Sequence, residues 1–344
     1  MTAVRLPAEW EPQEGILLSW PTASTDWSAN LAAAEATYLA LVKAISRFET
    51  AHICCQDAVI QQRVTRLISE QGISAVNIAL HILPYDDTWT RDYGPVTVSR
   101  NGKPSWLDFR FNAWGGKYPH TQDDRVTRLL HGMPAFEQRQ CTEVDFVLEG
   151  GSIDSDGQGG LLTTTRCLLS PQRNPGYDKA EIEQRLFDLL GTQRVLWLQQ
   201  GELEGDDTDA HIDTLARFCN AETIAYTRCQ DPLDSHASSL DKMEKELQAL
   251  RQSNGQPYHL VPLPLPTACF NRTSERLPAN YANFLILNGA VLVPTYDVAT
   301  DRDAMTQLQQ AFPDREVIGV PCRPLLEQYG SLHCVTMHLP ACAL

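Results

Sequence analysis

Two periodicities share this chain. Stretches alternating apolar and polar residues, rich in β-branched and aromatic side chains, flank Gly/Asn/Asp turns and predict hairpins. They cover 94–111 (turn at Asn101-Gly102), 150–165 (through Asp156-Gly157), 211–227 (near Asn220) and 283–296 (at Asn288-Gly289). Helical spacing of apolar residues falls between them, over 30–48, 178–191, 238–252 and 302–312. The 178–191 segment opens with an acid and closes with a glycine, as helix start and stop signals require. A short apolar strand precedes each next hairpin: "AVNIALHILP", "TEVDFVLE", "RVLWLQQ", "YHLVPLPLP" and "REVIGVP".

The order helix, strand, loop, hairpin therefore recurs about five times, at intervals of roughly 50–70 residues. Five such units predict an α/β ring whose loops converge on its axis. An open parallel sheet is the competing arrangement. The hairpins argue against it, because they pair antiparallel strands. With no long linker or low-complexity segment, residues 1–344 read as a single domain.

The loops between strand and hairpin carry the polar residues. They read "YDDTWTRDYGP" (85–95), "LEGGSID" (148–154), "LEGDDTDAHID" (203–213), "LPANYANF" (277–284) and "YGSLHCV" (329–335). Asp92, Glu149, His211, Asp213 and Cys334 thus fall at one phase of the repeat. Each alone has a bland explanation. Asp92 fits a surface turn paired to Arg91, Glu149 a solvated strand end, and Cys334 an inert core thiol. His211 and Asp213 fit the hydrated face of a strand, where alternate residues share a side. Their common phase links them and predicts that they meet at the ring's centre.

Bulk properties narrow the chemistry. The 28 Lys+Arg against 43 Asp+Glu give a net charge of −15, which disfavours nucleic-acid binding and leans towards cationic ligands. No apolar run is long enough for a membrane span, and "MTAVRLPAEW" lacks the pattern of an export signal. A cytoplasmic location is expected, with the 10 cysteines reduced and mostly packing as small hydrophobes. Zinc-type Cys and His spacings are missing, so neither a metal nor a cofactor is expected. A thiol, a histidine and surplus carboxylates suit nucleophilic attack on a planar cation. A guanidinium offers a fork of N–H donors that two carboxylates can clamp, leaving its carbon open to a thiolate. Trp89 could wall such a pocket.

Those residues lie in "WTRDYGP" (89–95), "EGGSID" (149–154), "HIDTLARF" (211–218), "NFLILNG" (283–289) and "HCVT" (333–336). Together with "LPAEWEPQEGILLSWP" (6–21), they resemble the agmatine deiminase / bacterial peptidylarginine deiminase-like family of the guanidino-group-modifying superfamily. The resemblance implies a five-bladed pseudo-symmetric α/β propeller and a single catalytic domain. It implies Cys334 as nucleophile, His211 as general acid/base, Asp92 and Asp213 as guanidinium-holding acids, and Glu149 as a supporting acid. The implied reaction is hydrolytic deimination of a small cationic guanidine through an S-amidino-cysteine intermediate. The first expectation is agmatine, giving N-carbamoylputrescine in polyamine biosynthesis, with a homo-oligomer, a dimer or larger, as the assembly. Asp86 and Asp207 are candidates for agmatine's amine end, or are simply solvated loop acids. Free or peptidyl arginine is the alternative, and Arg91 and Arg166 are the basic candidates for an α-carboxylate. A non-catalytic cation binder would need neither Cys334 nor His211, and an amidino-transferring relative would use an amine in place of water. Two positions depart from the family pattern. Ala210 stands where a glycine is expected before the histidine, and "QYGSLHC" has only Gly330 where a glycine-rich stretch is expected.

Overall fold

Each predicted hairpin forms, and each is followed by a crossover to a strand parallel to its second arm. The computed structural model describes residues 4–342. The outermost residues of the expected domain, 1–3 and 343–344, lie outside the described residues. Five small mixed sheets result. In the third blade, Ile153–Ser155 pairs antiparallel with Gly160–Thr164, which pairs parallel with Arg194–Leu198. The fourth repeats this with Ala216–Asn220, Thr223–Arg228 and His259–Pro264. The fifth uses Leu285–Leu287, Ala290–Thr295 and Glu316–Pro321. The second has Val96–Arg100, Lys103–Arg110 and Gln140–Val147, with Val4–Arg5 added at its edge.

The first blade is built from both ends of the chain. Met337–Pro340 runs antiparallel to Gln13–Ser19 and supplies the missing arm of that blade's hairpin. Gln13–Ser19 then pairs parallel with Thr50–Cys55, and that strand with Ile78–Ile82. This blade holds an extra strand and an extra crossover helix, Ala58–Glu70, that the sequence reading did not anticipate.

Local chemistry explains the boundaries. Asn101 and Gly102 both adopt positive φ (52° and 77°), as a tight two-residue hairpin turn demands. Helix Lys179–Leu190 opens with a capping box between Asp178 and Glu181 and ends at Gly191 with φ 71°. The helices Leu31–Ile45, Ala237–Ala249 and Asp301–Ala311 lie within two or three residues of the segments expected. Among the described residues no helix is long and apolar enough to cross a membrane.

One local expectation fails. Residues 211–213 are not the start of a strand. His211 precedes a short 3₁₀ turn, Ile212–Thr214, and the strand begins only at Ala216. His211 and Asp213 are brought together by this turn, not by strand alternation.

Beneath the loops, buried charges tie the blades together. Arg217 from the fourth blade reaches Glu9 at 3.0 Å and Asp154 of the third at 3.2 Å, and donates to the carbonyl of Phe284 ahead of the fifth. All three charged side chains are under 10 % exposed. Arg217→Met would strip Asp154 of its arginine and leave Glu9 only the more distant Arg91, at 3.5 Å. We expect a loss of about 3–5 kcal/mol in urea unfolding, as for one removed partner of a buried pair. A loss below about 1 kcal/mol would show that water or rearrangement replaces Arg217.

Candidate active site

The five loops leading into the five hairpins meet on the ring axis. Asp92 sits on the single-turn helix Thr90–Tyr93, Glu149 just before the 3₁₀ turn Gly150–Ser152, and Cys334 three residues before Met337–Pro340. The ring geometry expected from the shared phase of these residues is the geometry observed.

Close approach of the loops depends on Gly151. A β-carbon there would lie 2.7 Å from His211 Nδ1, 2.8 Å from Asp92 Oδ1 and 3.0 Å from Asp213 Oδ2. The Gly151 amide donates to Asp92 Oδ1 at 2.9 Å, and Trp114 Nε1 donates to Asp92 Oδ2 at 2.9 Å. Asp92 is thereby aimed, yet burial, with Glu149 nearby, pushes its carboxyl up to about 7.

His211 lies between two acids, with Nδ1 3.6 Å from Asp92 and Nε2 4.0 Å from Glu149. Burial, then Arg173 and Lys117, hold its imidazole well below its usual pKa, so it is neutral at rest. Nε2 has no hydrogen-bond partner. Glu149 is fully buried and its oxygens take the Arg173 Nε at 2.9 and 3.0 Å. Burial raises its pKa against the pull of Arg173.

Asp213 accepts from or donates to His333 Nδ1 at 2.8 Å through Oδ2, while Oδ1 is buried without a partner. Burial, then Asp92, push its pKa well up. The Cys334 thiol points to Asn283 Oδ1 at 3.4 Å, and its pKa is raised by burial and by Asp213 and Asp92. Asn283 Oδ1 also accepts the His333 amide at 2.8 Å and the Cys334 amide at 3.3 Å, while its Nδ2 donates to the Asp213 carbonyl. Asn283 is the fifth loop's contribution, and sequence reasoning missed it along with Trp114 and Arg173. The equivalent phase of that loop held an amide instead of a charge, which was the available signal.

A cleft enclosing about 780 Å³, part of it open to solvent, leads down to Asp92 and Cys334. Trp89 and Trp114 line it, as expected for Trp89. Asp207 stands at its wall, already bonded by Tyr118 and Lys117. Asp86 is turned elsewhere: its Oδ2 accepts the Gln122 amide at 2.7 Å. Its neighbour Asp87 lines the cleft and accepts from Trp89 Nε1 at 2.9 Å. Neither arginine considered for an α-carboxylate faces the cleft. Arg91 is buried against His338 and Glu9, and Arg166 pairs with Glu202 at the surface.

Both departures from the glycine pattern have a structural reading. Asp209 and Ala210 adopt positive φ (65° and 63°), so Ala210 occupies a left-handed position that glycine takes without strain. Gly330 is the one glycine that packing before Cys334 demands. A β-carbon there would lie 2.2 Å from the Trp89 ring.

Glu149, Cys167 and His211 bring ligand-type atoms within 4.8 Å of one another. A cation there would have to displace Arg173 from both Glu149 oxygens.

The sequence and fold are shared with known proteins. Residues 5–340 match the Porphyromonas-type peptidyl-arginine deiminase family. Agmatine deiminase of Pseudomonas aeruginosa (strain LESB58) is 33% identical, over 98% of this chain and 95% of that protein. The structure of C. jejuni agmatine deiminase with substrate bound superposes with a TM-score of 0.91 at 35% identity, covering 98% and 96% of the two chains. A Porphyromonas gingivalis protein proposed to be an arginine deiminase superposes with a TM-score of 0.90 at 46% identity, covering 98% of each. Fold and site define a five-bladed α/β propeller of the guanidino-group-modifying kind. The chain belongs to the peptidyl-arginine deiminase family that includes the agmatine deiminases, and it is a hydrolase acting on amidines.

Two outcomes follow from the geometry. Gly151→Ala should force Asp92, His211 and Asp213 apart and cut kcat/KM by about 100-fold, the order expected for a misplacement near 1 Å. Circular dichroism and the melting transition should stay near wild type; wild-type turnover would show that the three loops tolerate separation. In the free enzyme, alkylation of Cys334 by iodoacetamide, followed by peptide mass spectrometry, should be slow at pH 7 and rise only in the alkaline range. Asp92→Asn should move that profile to lower pH, since Asp92, with its carboxyl at about 7, is a carboxylate in the alkaline range and removing that charge favours the thiolate. A wild-type profile titrating below pH 7 would contradict the raised thiol pKa.

Proposed function

We propose that the protein hydrolyses agmatine to N-carbamoylputrescine and ammonia. One observation carries the choice of substrate: the described cleft lining holds Asp26, Asp87, Asp92, Asp206 and Asp207 and no lysine or arginine. Agmatine is a dication, with a guanidinium at one end and an ammonium at the other. A free α-carboxylate would enter that acidic wall without a basic partner, a juxtaposition that costs several kcal/mol.

Asp92 and the unpartnered Oδ1 of Asp213 hold the guanidinium, which rests between the indoles of Trp89 and Trp114 and over Cys334. The thiol gives its proton to neutral His211 and the sulfur attacks the guanidinium carbon, forming the C–S bond. The adduct breaks a C–N bond, and His211 returns the proton to the departing ammonia. The covalent S-amidino intermediate remains, splitting a difficult hydrolysis into two steps. His211 then takes a proton from water and the hydroxide oxygen adds to the same carbon. The C–S bond breaks as the remaining O–H proton is lost to solvent and His211 returns its proton to the sulfur, leaving the neutral ureido product and the free thiol. Glu149, pinned by Arg173, orients the imidazole from its Nε2 side. The bound cation offsets the like charge that otherwise keeps the thiol protonated.

The 46% identity to the P. gingivalis protein supports arginine as a second reading. Assaying ureido product and ammonia with agmatine, free arginine and a blocked arginine peptide separates the two. We expect kcat/KM for agmatine to exceed that for arginine by at least about 100-fold, and Cys334→Ala to abolish both. A preference for arginine or the peptide would keep the chemistry and reverse the substrate.

A further inference from the structure

His333 is a buried histidine that the chemistry above does not use. One ring contacts a carboxylate at each end: Nδ1 lies 2.8 Å from Asp213 Oδ2, and Nε2 lies 2.8 Å from Glu9 Oε2. All three side chains are buried. Two short N···O contacts need two protons, one in each gap. The set of three groups therefore carries a net charge of −1 in either of two arrangements. Either the ring holds both protons between two carboxylates, or the ring holds one and the other sits on a carboxyl oxygen.

The surroundings select the second arrangement at rest. Burial opposes ionisation of Glu9, but Arg217, His333 and Arg91 outweigh it and keep Glu9 a carboxylate. Asp213 is buried, faces Asp92 and has no cation in direct contact, so it keeps the proton. The charged and titratable groups facing His333 are Glu9, Asp213, Arg91 and Arg217, with His338 beyond Arg91 and Asp154 beyond Arg217. Burial, then the two arginines, keep the ring neutral, with its one proton directed at Glu9.

We infer that His333 stores the proton of Asp213, so that Asp213 becomes a carboxylate when a guanidinium arrives and a carboxylic acid again when it leaves. On binding, the Asp213 O–H bond breaks and the His333 Nδ1–H bond forms across 2.8 Å. No proton need reach solvent from this enclosed site. The ring becomes an imidazolium between two carboxylates, and Asp213 presents its full negative charge to the substrate. His333 is thus a positioning residue acting through Asp213, and this role rests on the guanidine reading proposed above.

The test uses the full-length Cys334→Ala protein, which binds without turnover, labelled with ¹⁵N-histidine. Agmatine and methylguanidine are the two probes; the second carries the reacting cation alone. We expect the His333 nitrogens to change from one protonated and one not to both protonated on binding either probe. In calorimetry across buffers of different ionisation enthalpy, His333→Gln should release one more proton per guanidinium bound, because glutamine keeps the two contacts but cannot take up a proton. A neutral His333 in the bound state, or equal proton release by the two proteins, overturns the inference and leaves the guanidine reading intact. Response to methylguanidine but no binding of agmatine upholds the inference and overturns agmatine as substrate. Binding of neither overturns both.

Discussion

Delivery of Cys334, the proposed nucleophile, depends on one strand pairing. Met337–Pro340 lies against Gln13–Ser19 with Met337 opposite Leu17 and Leu339 opposite Gly15. This contact joins strands from distant parts of the chain and, among the described residues, completes the one blade whose hairpin is not contiguous in sequence. Cys334 stands three residues before it. Its carbonyl accepts the Arg91 amide, and the next carbonyl, of Val335, accepts the Thr90 hydroxyl at 2.7 Å. The thiol loop is thus stitched to the second blade by backbone and to the fifth through Asn283. Closing so long a loop is entropically affordable because the cost grows only with the logarithm of its length. In exchange, the Cys334 thiol is fixed relative to loops from four other blades.

Under that floor the polar groups are arranged with a consistent polarity. Arg91 and Arg217 lie below, around Glu9; the acids Asp92, Asp213 and Glu149 lie above, around the place for a substrate cation. Only Glu149 has its own arginine, Arg173. Asp92 is bonded by an indole and an amide, and Asp213 by a histidine, none of which brings a full positive charge. Burying acids without counter-ions is costly, and the usual response is protonation. The centre therefore holds its acids partly neutral until a cation enters. Preorganised dipoles keep them aimed meanwhile, so little structure has to move when charge develops.

Much of this was legible in the chain because the two signals involved are local. Asn101-Gly102 announces its hairpin through turn chemistry alone, and Asp178 with Gly191 brackets its helix. The common phase of Asp92, Glu149, His211, Asp213 and Cys334 gave the ring and its centre, since a repeated unit places equivalent loops at equivalent points. What stayed hidden is set by distant contacts. Asn283 is an ordinary loop amide until the loop carrying Cys334 closes over it. Arg173 and Trp114 lie in segments with no motif, and their roles arise from what packs on them. The 3₁₀ turn at Ile212–Thr214 was read as strand because alternation fits three residues of either shape. Ala210 looked like a departure from pattern, and its φ of 63° shows that the backbone there adopts a conformation glycine takes without strain.

The acidic centre also gives the reaction a direction. On the proposed reading, a guanidinium enters as a cation and meets Asp92 and Asp213 as they ionise, so its attraction grows with the charge it induces. Hydrolysis replaces one nitrogen by a carbonyl oxygen, and the ureido group is neutral. The same carboxylates then face a group with no charge to offset their burial, and a carbonyl oxygen that cannot donate to them. Protonation again becomes the cheaper state for at least one acid, and a protonated acid no longer holds the product. The burial that raises Asp92 to about 7 in the empty site therefore acts twice. It sharpens the preference for a cation on entry, and it weakens the grip once the cation is gone.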